Sequence, residues 1–256
     1  MLFSIDTATN TAGLALFDER QNQCIAAYEW EIGQQHSVQI FGAMEHFLQQ
    51  AGCTLNDISA ICVVAGPGSF NGLRVGVTVA KTLAFLLSVP LLGIISLDAM
   101  VPWFDSEKSG ETSVLSVMDA GRNELYYIYT NARDKAGLNS AATQYAPLYQ
   151  RFGPSGRSGV ATDAPEIIAA AAKAYGAIYV YGQIADLQKD ILRRALTEQQ
   201  IQAEFCAPIN RAAGAAALAA RTLAGEYSDE TFTLEPVYVR PANITVSVKH
   251  PLPEQA

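Results

Sequence analysis

Gly66-Pro67-Gly68-Ser69-Phe70-Asn71-Gly72-Leu73-Arg74-Val75-Gly76 joins an apolar run, Ile61 to Ala65, to a strongly apolar segment, Leu73 to Leu87. A strand that feeds a glycine-rich turn into a helix N-terminus is a common way to aim backbone N–H groups at an anion. Two phosphate-clamping features are missing here. No Lys-Ser or Lys-Thr closes the turn, and the spacing is G-x-G-x-x-x-G, neither a P-loop nor a dinucleotide fingerprint. The stretch predicts a nucleotide-type α/β frame that lacks part of the usual chemistry.

Upstream, residues 2–6 are apolar and end in Asp6. A polar turn from Thr7 to Thr11 leads to a second apolar run, Ala12 to Phe17, and a third strand is read over Cys24 to Glu31. Ser37 is placed to cap a helix reaching Gln50, with Gly52 just past its end. Ile40, Phe41, Met44, Phe47, Leu48 and Ala51 recur at helical spacing and mark its buried face. A strand over Ile58 to Ala65 then enters the glycine motif.

The second half repeats the plan. Val114-Leu115-Ser116-Val117-Met118-Asp119 follows the pattern of Met1-Leu2-Phe3-Ser4-Ile5-Asp6, and a turn leads on to Glu124–Thr130. A helix over 165–174, a stop at Gly176 and a strand over Ile178–Tyr181 complete the match. One such hairpin is commonplace; two suites in the same order argue for duplication. The polar stretch Asp105–Thr112 marks the boundary. Residues 1–104 form the first lobe, 105–206 the second and 225–256 an extended tail. An Ala-rich helix over 207–224 is expected to pack back on the first lobe. Segments 131–141 and 150–163 read as loops, and the chain beyond about 245 reads as loose.

The 256 residues are half hydrophobic and 16% charged, with a formal net charge of −8. Such an acidic chain, with scattered Lys and Arg, argues against a nucleic-acid-binding surface of its own. Cys24, Cys53, Cys62 and Cys206 form no C-x-x-C pair, and no secretory leader is read, so a reduced, cytoplasmic chain is expected. The longest apolar run, Leu83–Ile95, contains Pro90 and is short for a bilayer.

Asp6, Thr7 and Thr9 have two readings. They close a hairpin as an Asx or Thr turn, or they make weak contact with a nucleotide, for which Ala8 stands where a glycine is favoured. His36, His46 and His250 are scattered and build no zinc site. Ser69 and Ser155 lack the G-x-S-x-G elbow. The segment 73–87 carries two apolar stripes, Leu73/Val77/Ala80/Ala84/Leu87 and Val75/Val79/Leu83/Leu86. Two stripes imply two packing partners, either both within the lobe or one of them another protein. Small residues at Gly72, Gly76, Ala80 and Ala84 would let a second helix approach closely.

Together, Phe3–Thr9, the His36-Ser37 helix start, the glycine motif, Ser96-Leu97-Asp98, Asp119–Tyr126 and Pro236–Arg240 resemble the TsaB (YeaZ) family of tRNA threonylcarbamoyladenosine biosynthesis proteins. The family usually has Thr where Asn71 stands. The resemblance implies an α/β, two-lobed actin/sugar-kinase/Hsp70-like fold with duplicated mixed-sheet lobes. It implies a non-catalytic paralogue of TsaD that lacks TsaD's metal-binding His pair, since Ile40 stands at the second position. It further implies a heterodimer with a TsaD-like protein, a TsaE-like ATPase joining it, and a homodimer when the chain is alone. tRNA would be met mainly through the complex, with no membrane. The chain would have no cofactor of its own, with ATP or ADP and Mg²⁺ placed at the partner interface. On this reading His36, Phe41, Phe70, Leu73, Val77, Ala80 and Ala84 face the partner. A small-molecule kinase of the same fold is the alternative, and a peptidase is the weaker third reading.

Overall fold

The computed structural model describes residues 1–32, 36–101, 113–130, 161–174, 178–225 and 229–239. The boundary read at 105–112, the loop read at 131–141, residues 150–160 of the second loop, the stop at Gly176 and the tail beyond 245 lie outside the described residues. The end of that second loop is corrected: Ala161–Asp163 is an edge strand, held by pairing with Leu125–Tyr127.

The first sheet is built from β1 (Leu2–Asp6), β2 (Thr11–Asp18), β3 (Gln23–Glu31), β4 (Ala60–Gly66) and β5 (Leu91–Ile95), in the order β3-β2-β1-β4-β5. The first three strands pair antiparallel, and β1, β4 and β5 run parallel. The second sheet has β6 (Ser113–Gly121), β7 (Glu124–Thr130), β8 (Ala161–Asp163), β9 (Ile178–Gln183) and β10 (Ala203–Phe205). Its order, β10-β9-β6-β7-β8, is the first sheet's order read from the opposite edge. The senses match as well: β6 and β7 pair antiparallel, while β6, β9 and β10 run parallel. Topology therefore repeats where the sequence pattern repeats. This is the actin/sugar-kinase/Hsp70-like α/β fold expected from the sequence.

Five helices accompany the sheets among the described residues: α1 (His36–Gln50), α2 (Phe70–Leu87), α3 (Pro165–Ala171), α4 (Asp186–Glu198) and α5 (Arg211–Leu223). α4 and the edge strand β10 were not read from the sequence, although Leu192, Ala195 and Leu196 bury one face of α4. The Ala-rich helix is shorter than its compositional run. It starts behind Asn210, whose side chain accepts the Ala213 N–H at 2.8 Å.

β1 and β4 are buried on both sides, which explains the unbroken apolar run of β4 and why β1 departs from one only at Ser4 and Asp6. Their alternation sorts side chains into two cores. Phe3, Ile5, Ile61 and Val63 pack beneath α1 and α2. Leu2, Cys62 and Val64 join the alanines of α5, and Val114, Met118 and Tyr181 of the second sheet enter that same layer. α5 is thus the filling between the lobes. Burial there pushes the Cys62 thiol up to about 12. None of the four cysteines is in a disulfide.

α2 corrects the interface reading. Leu73, Val77, Ala80 and Ala84 are buried in the chain's own core. α1 lies against α2, and Val79 and Leu83 of the second stripe are buried in the core that α1 shares, while Leu86 of that stripe is 69% exposed. The chain's own C-terminal segment, 229–239, packs along the Lys81 side of α2 and the neighbouring strands. The Glu230 N–H donates to the Leu91 carbonyl at 3.1 Å, and the Val237 N–H to the Ala65 carbonyl at 2.7 Å. Lys81 donates to the carbonyls of Phe232 and Leu234 at 3.3 and 3.1 Å. Leu234 is buried in the same core as Val77 and Ala80. Each large apolar side chain so buried is worth about 1.5–3 kcal/mol. α2 is also the helix, among those described, that is long and apolar enough to cross a membrane by length and composition; Leu73, Val77, Val79, Ala80, Leu83 and Ala84 are buried in the chain's own core, and Phe85 and Leu86 are exposed.

The small residues find a different use too. A Cβ on Gly76 would lie 2.2 Å from Thr7 Oγ1, and one on Gly68 would lie 2.2 Å from the Ala8 carbonyl. Gly76 of the expected set, with Gly68 before it, admits the first hairpin turn, while Ala80 and Ala84 are buried in the chain's own core. On α1, Ile40, Met44, Phe47 and Leu48 are buried as expected, but Phe41 is 61% exposed. One residue beyond Ile40 is about 100° of rotation, enough to carry it off the packed face.

Candidate functional site

The carboxyl ends of β1 and β6 carry the two aspartates singled out by the repeat, at the place where open α/β sheets usually bind ligands. The structure treats them differently. Asp6 is 2% exposed. Its Oδ1 accepts the Ala8 N–H at 2.8 Å, forming the Asx turn. Its Oδ2 accepts Nε of Arg211 at 2.6 Å. Arg211 is itself 1% exposed, and its Nη2 also donates to Thr9 Oγ1 at 2.7 Å and to the Thr11 carbonyl at 3.0 Å. Nη1 donates to Oε1 of Gln183, at the end of β9 in the second lobe.

Thr7 faces elsewhere. Its hydroxyl donates to the Gly72 carbonyl at 2.7 Å, tying the hairpin turn to the first turn of α2. The Ser69 N–H donates to the Ala8 carbonyl at 2.7 Å. Ser69 caps α2 by accepting the Gly72 N–H at 3.3 Å. The glycine motif thus receives the β1–β2 turn through Gly68 and Gly76, which meet Ala8 and Thr7, while Gly66 lies against the Val237 carbonyl.

Asp119 is exposed and accepts the Gly121 N–H at 2.7 Å. Burial raises the pKa of the Tyr126 hydroxyl, and the Asp119 charge adds to the rise. Glu29 lies within reach of the Asp6–Arg211 pair. Burial raises its carboxyl, Arg211 opposes the rise and Asp6 adds to it.

A hydrated divalent cation with a phosphate needs a carboxylate with free lone pairs, and hydroxyls and N–H groups turned outward. Asp6 is instead paired to a guanidinium, Thr7 is turned into α2 and Thr9 accepts from Arg211. This arrangement does not fit such a group. Among the described residues, no three His, Cys, Asp or Glu side chains come together as a metal site.

Arg211 was missed by sequence reasoning. Its one local signal is a basic residue in the first turn of a helix, where the macrodipole disfavours positive charge. Of the predicted partner-facing residues, Phe41 and Phe70 are exposed. His36 opens α1, and its side chain lies outside the described residues. The Phe70 ring lies 5.0 Å from the Tyr238 ring, and the Arg74 guanidinium is 5.2 Å from the Phe70 centroid. At the other end of α2, Phe85, Val89, Pro90 and Phe232 line an open groove of about 450 Å³.

Comparison with known proteins agrees with this architecture. A Bacillus subtilis protein named tRNA threonylcarbamoyladenosine biosynthesis protein TsaB is 34% identical over 133 residues, which is 51% of this chain and 56% of that protein. The Escherichia coli protein of the same name is 32% identical over 139 residues, 54% of this chain and 57% of that one. The chain thus spans a little over half the length of these relatives. The solved structure of YeaZ from Pseudomonas aeruginosa superposes with a TM-score of 0.66 at 23% identity, covering 93% of this chain and 99% of that one, which supports the fold. The family model of TsaD, tRNA N6-adenosine threonylcarbamoyltransferase, matches residues 30–223. With three quarters of its length matched by that model, the chain belongs to the TsaD family and, within it, groups with the TsaB (YeaZ) proteins.

Proposed function

We propose that this chain is a non-catalytic subunit in the biosynthesis of threonylcarbamoyladenosine in tRNA, and that it pairs with and activates a TsaD-like transferase. The observation that carries the reading is the commitment of the cleft carboxylate Asp6 to Arg211, in a chain whose relatives are named for that pathway. A TsaE-like ATPase joins the pair, and ATP or ADP with Mg²⁺ is held at the partner interface. The modified position is the adenosine next to the anticodon in tRNAs reading codons that begin with A. tRNA is met through the complex, as the net charge of −8 favours.

The docking surface is the outer side of α1 with the exposed edge of α2. Phe41 stands out from α1 beside Gly42, where a Cβ would meet nothing within 4 Å. Asn71, Thr78 and Thr82 are exposed on α2. An exposed aromatic among small and polar groups is the composition of a contact centre with a polar rim. Without its partner the chain pairs with itself through the same face.

Phe41→Asp tests this. The variant keeps the parent's urea midpoint, because Phe41 is not core. It is expected to lose co-elution with the TsaD-like protein of the same organism. Unchanged co-elution of the folded variant sinks the proposed face. Turnover of ATP with a small-molecule acceptor by the isolated chain would favour the kinase reading instead.

A further inference from the structure

We propose that Arg211 is a built-in ligand of the interlobe cleft. Its guanidinium stands in for an external cation at Asp6 and fixes the two lobes to one another, so the frame works as a single rigid body.

The geometry supports a lock more than an incidental ion pair. α5, which carries Arg211, is packed closely on the first lobe. Residues 211–217 are all buried. A Cβ on Gly214 would lie 2.0 Å from the Ala99 carbonyl, and one on Gly13 of β2 would lie 3.2 Å from the Ala212 Cβ. From that fixed base one side chain reaches three places. Nε holds the end of β1 through Asp6. Nη2 holds the hairpin turn through Thr9 and Thr11. Nη1 crosses to Gln183 at the end of β9. Gln183 pairs in register with Met118, the neighbour of Asp119, so this contact grips the second sheet beside its own cleft aspartate.

Chemistry favours an arginine for the task. The planar fork supplies several donors in a fixed geometry, whereas an ammonium on a flexible stem cannot reach four acceptors at once. A positive charge in the first turn of α5 runs against the helix dipole, and burial adds a desolvation cost. Asp6, buried beside it, offsets both. A residue this unfavourable locally is explained by what it joins.

Hydrogen exchange on the full chain provides the test, followed in peptides covering Thr7–Thr11 and Ile178–Gln183. Gln183→Leu removes the cross-lobe arm and leaves the Asp6 pair intact. It is expected to raise exchange at the end of β9 about tenfold, the size of one lost hydrogen bond to a charged group, with the Thr7–Thr11 peptide little changed. Arg211→Ala is expected to raise exchange in both peptides. Millimolar methylguanidinium should restore protection in Arg211→Ala, and the same concentration of methylammonium should not. Arg193→Ala, which breaks an exposed pair with Asp190, serves as the control and leaves both peptides unchanged. Wild-type protection in the β9 peptide of Gln183→Leu overturns the lock, whether or not Arg211→Ala folds. So does rescue of Arg211→Ala by methylammonium as well as by methylguanidinium.

Discussion

The two aspartate hairpins started from one pattern and have reached opposite states. In the first lobe, Asp6 is followed by a four-residue turn, Thr7 to Asn10, which is driven into α2 and gripped by Arg211. In the second, Arg122 and Asn123 have φ of 57° and 60°, the two left-handed positions of a tight type I′ hairpin, and Asp119 is exposed. The difference teaches that a cleft aspartate is defined by its surroundings. Similar strands, in the same topology, make one carboxylate a buried structural counter-ion and leave the other open to water.

The largest test of this contrast is removal of each carboxylate. Asp6→Ala strands a buried guanidinium and is expected to cost about 3–5 kcal/mol. Asp119→Ala is expected to change stability by less than about 0.5 kcal/mol. Urea unfolding of both variants measures the gap, and similar midpoints would erase the distinction between the hairpins.

Next come the glycines that seat each turn. Gly76→Ala pushes a methyl onto Thr7 Oγ1 and is expected to cost about 1–3 kcal/mol by overpacking. Its effect should fall in a Thr7→Ala background, since the two sites touch. Gly121→Ala meets open space but must adopt φ of 73°, for about 1 kcal/mol. Thermal unfolding of the three variants and the double variant checks the order. A Gly121 cost larger than that of Gly76 would mean that the first turn is not the tightly seated one.

The smallest effect concerns pH. The Glu29 carboxyl is raised in the folded protein, first by burial. The folded state therefore binds its proton more tightly than the unfolded state does, and stability falls as pH rises from about 4.3 through the raised value. Glu29→Gln removes that penalty. It is expected to raise the urea midpoint slightly at pH 7 and not at pH 4. The gain should grow in an Arg211→Gln background, where the opposing positive charge is gone. A gain of equal size at both pH values would assign the effect to something other than titration.

Much of the frame was legible because its signals are local. Runs buried on both faces named β1 and β4, and spacing named the buried side of α1, with Phe41 the exception. The repeated strand-Asp-turn pattern carries the same duplication that the matching sheet orders show. Amphipathic α4 was overlooked although Leu192, Ala195 and Leu196 carry its spacing. The site was less legible. Asp6, Thr7 and Thr9 were singled out, but no local pattern says that Thr7 turns into α2 while Thr9 turns toward Arg211.

What the amino-acid order determined by itself was the alternation, the caps and the breaks, since these depend on neighbours within a turn or two along the chain. Tertiary structure alone decided two matters. It laid the C-terminal segment 229–239 along the Lys81 side of α2, a face that neither apolar stripe marked. It also brought Arg211 to Asp6 across 205 residues. Both are pairings between distant segments. A buried charge finds its counter-ion, and a lysine on a helix its distant carbonyl acceptors, only once the chain has closed around them.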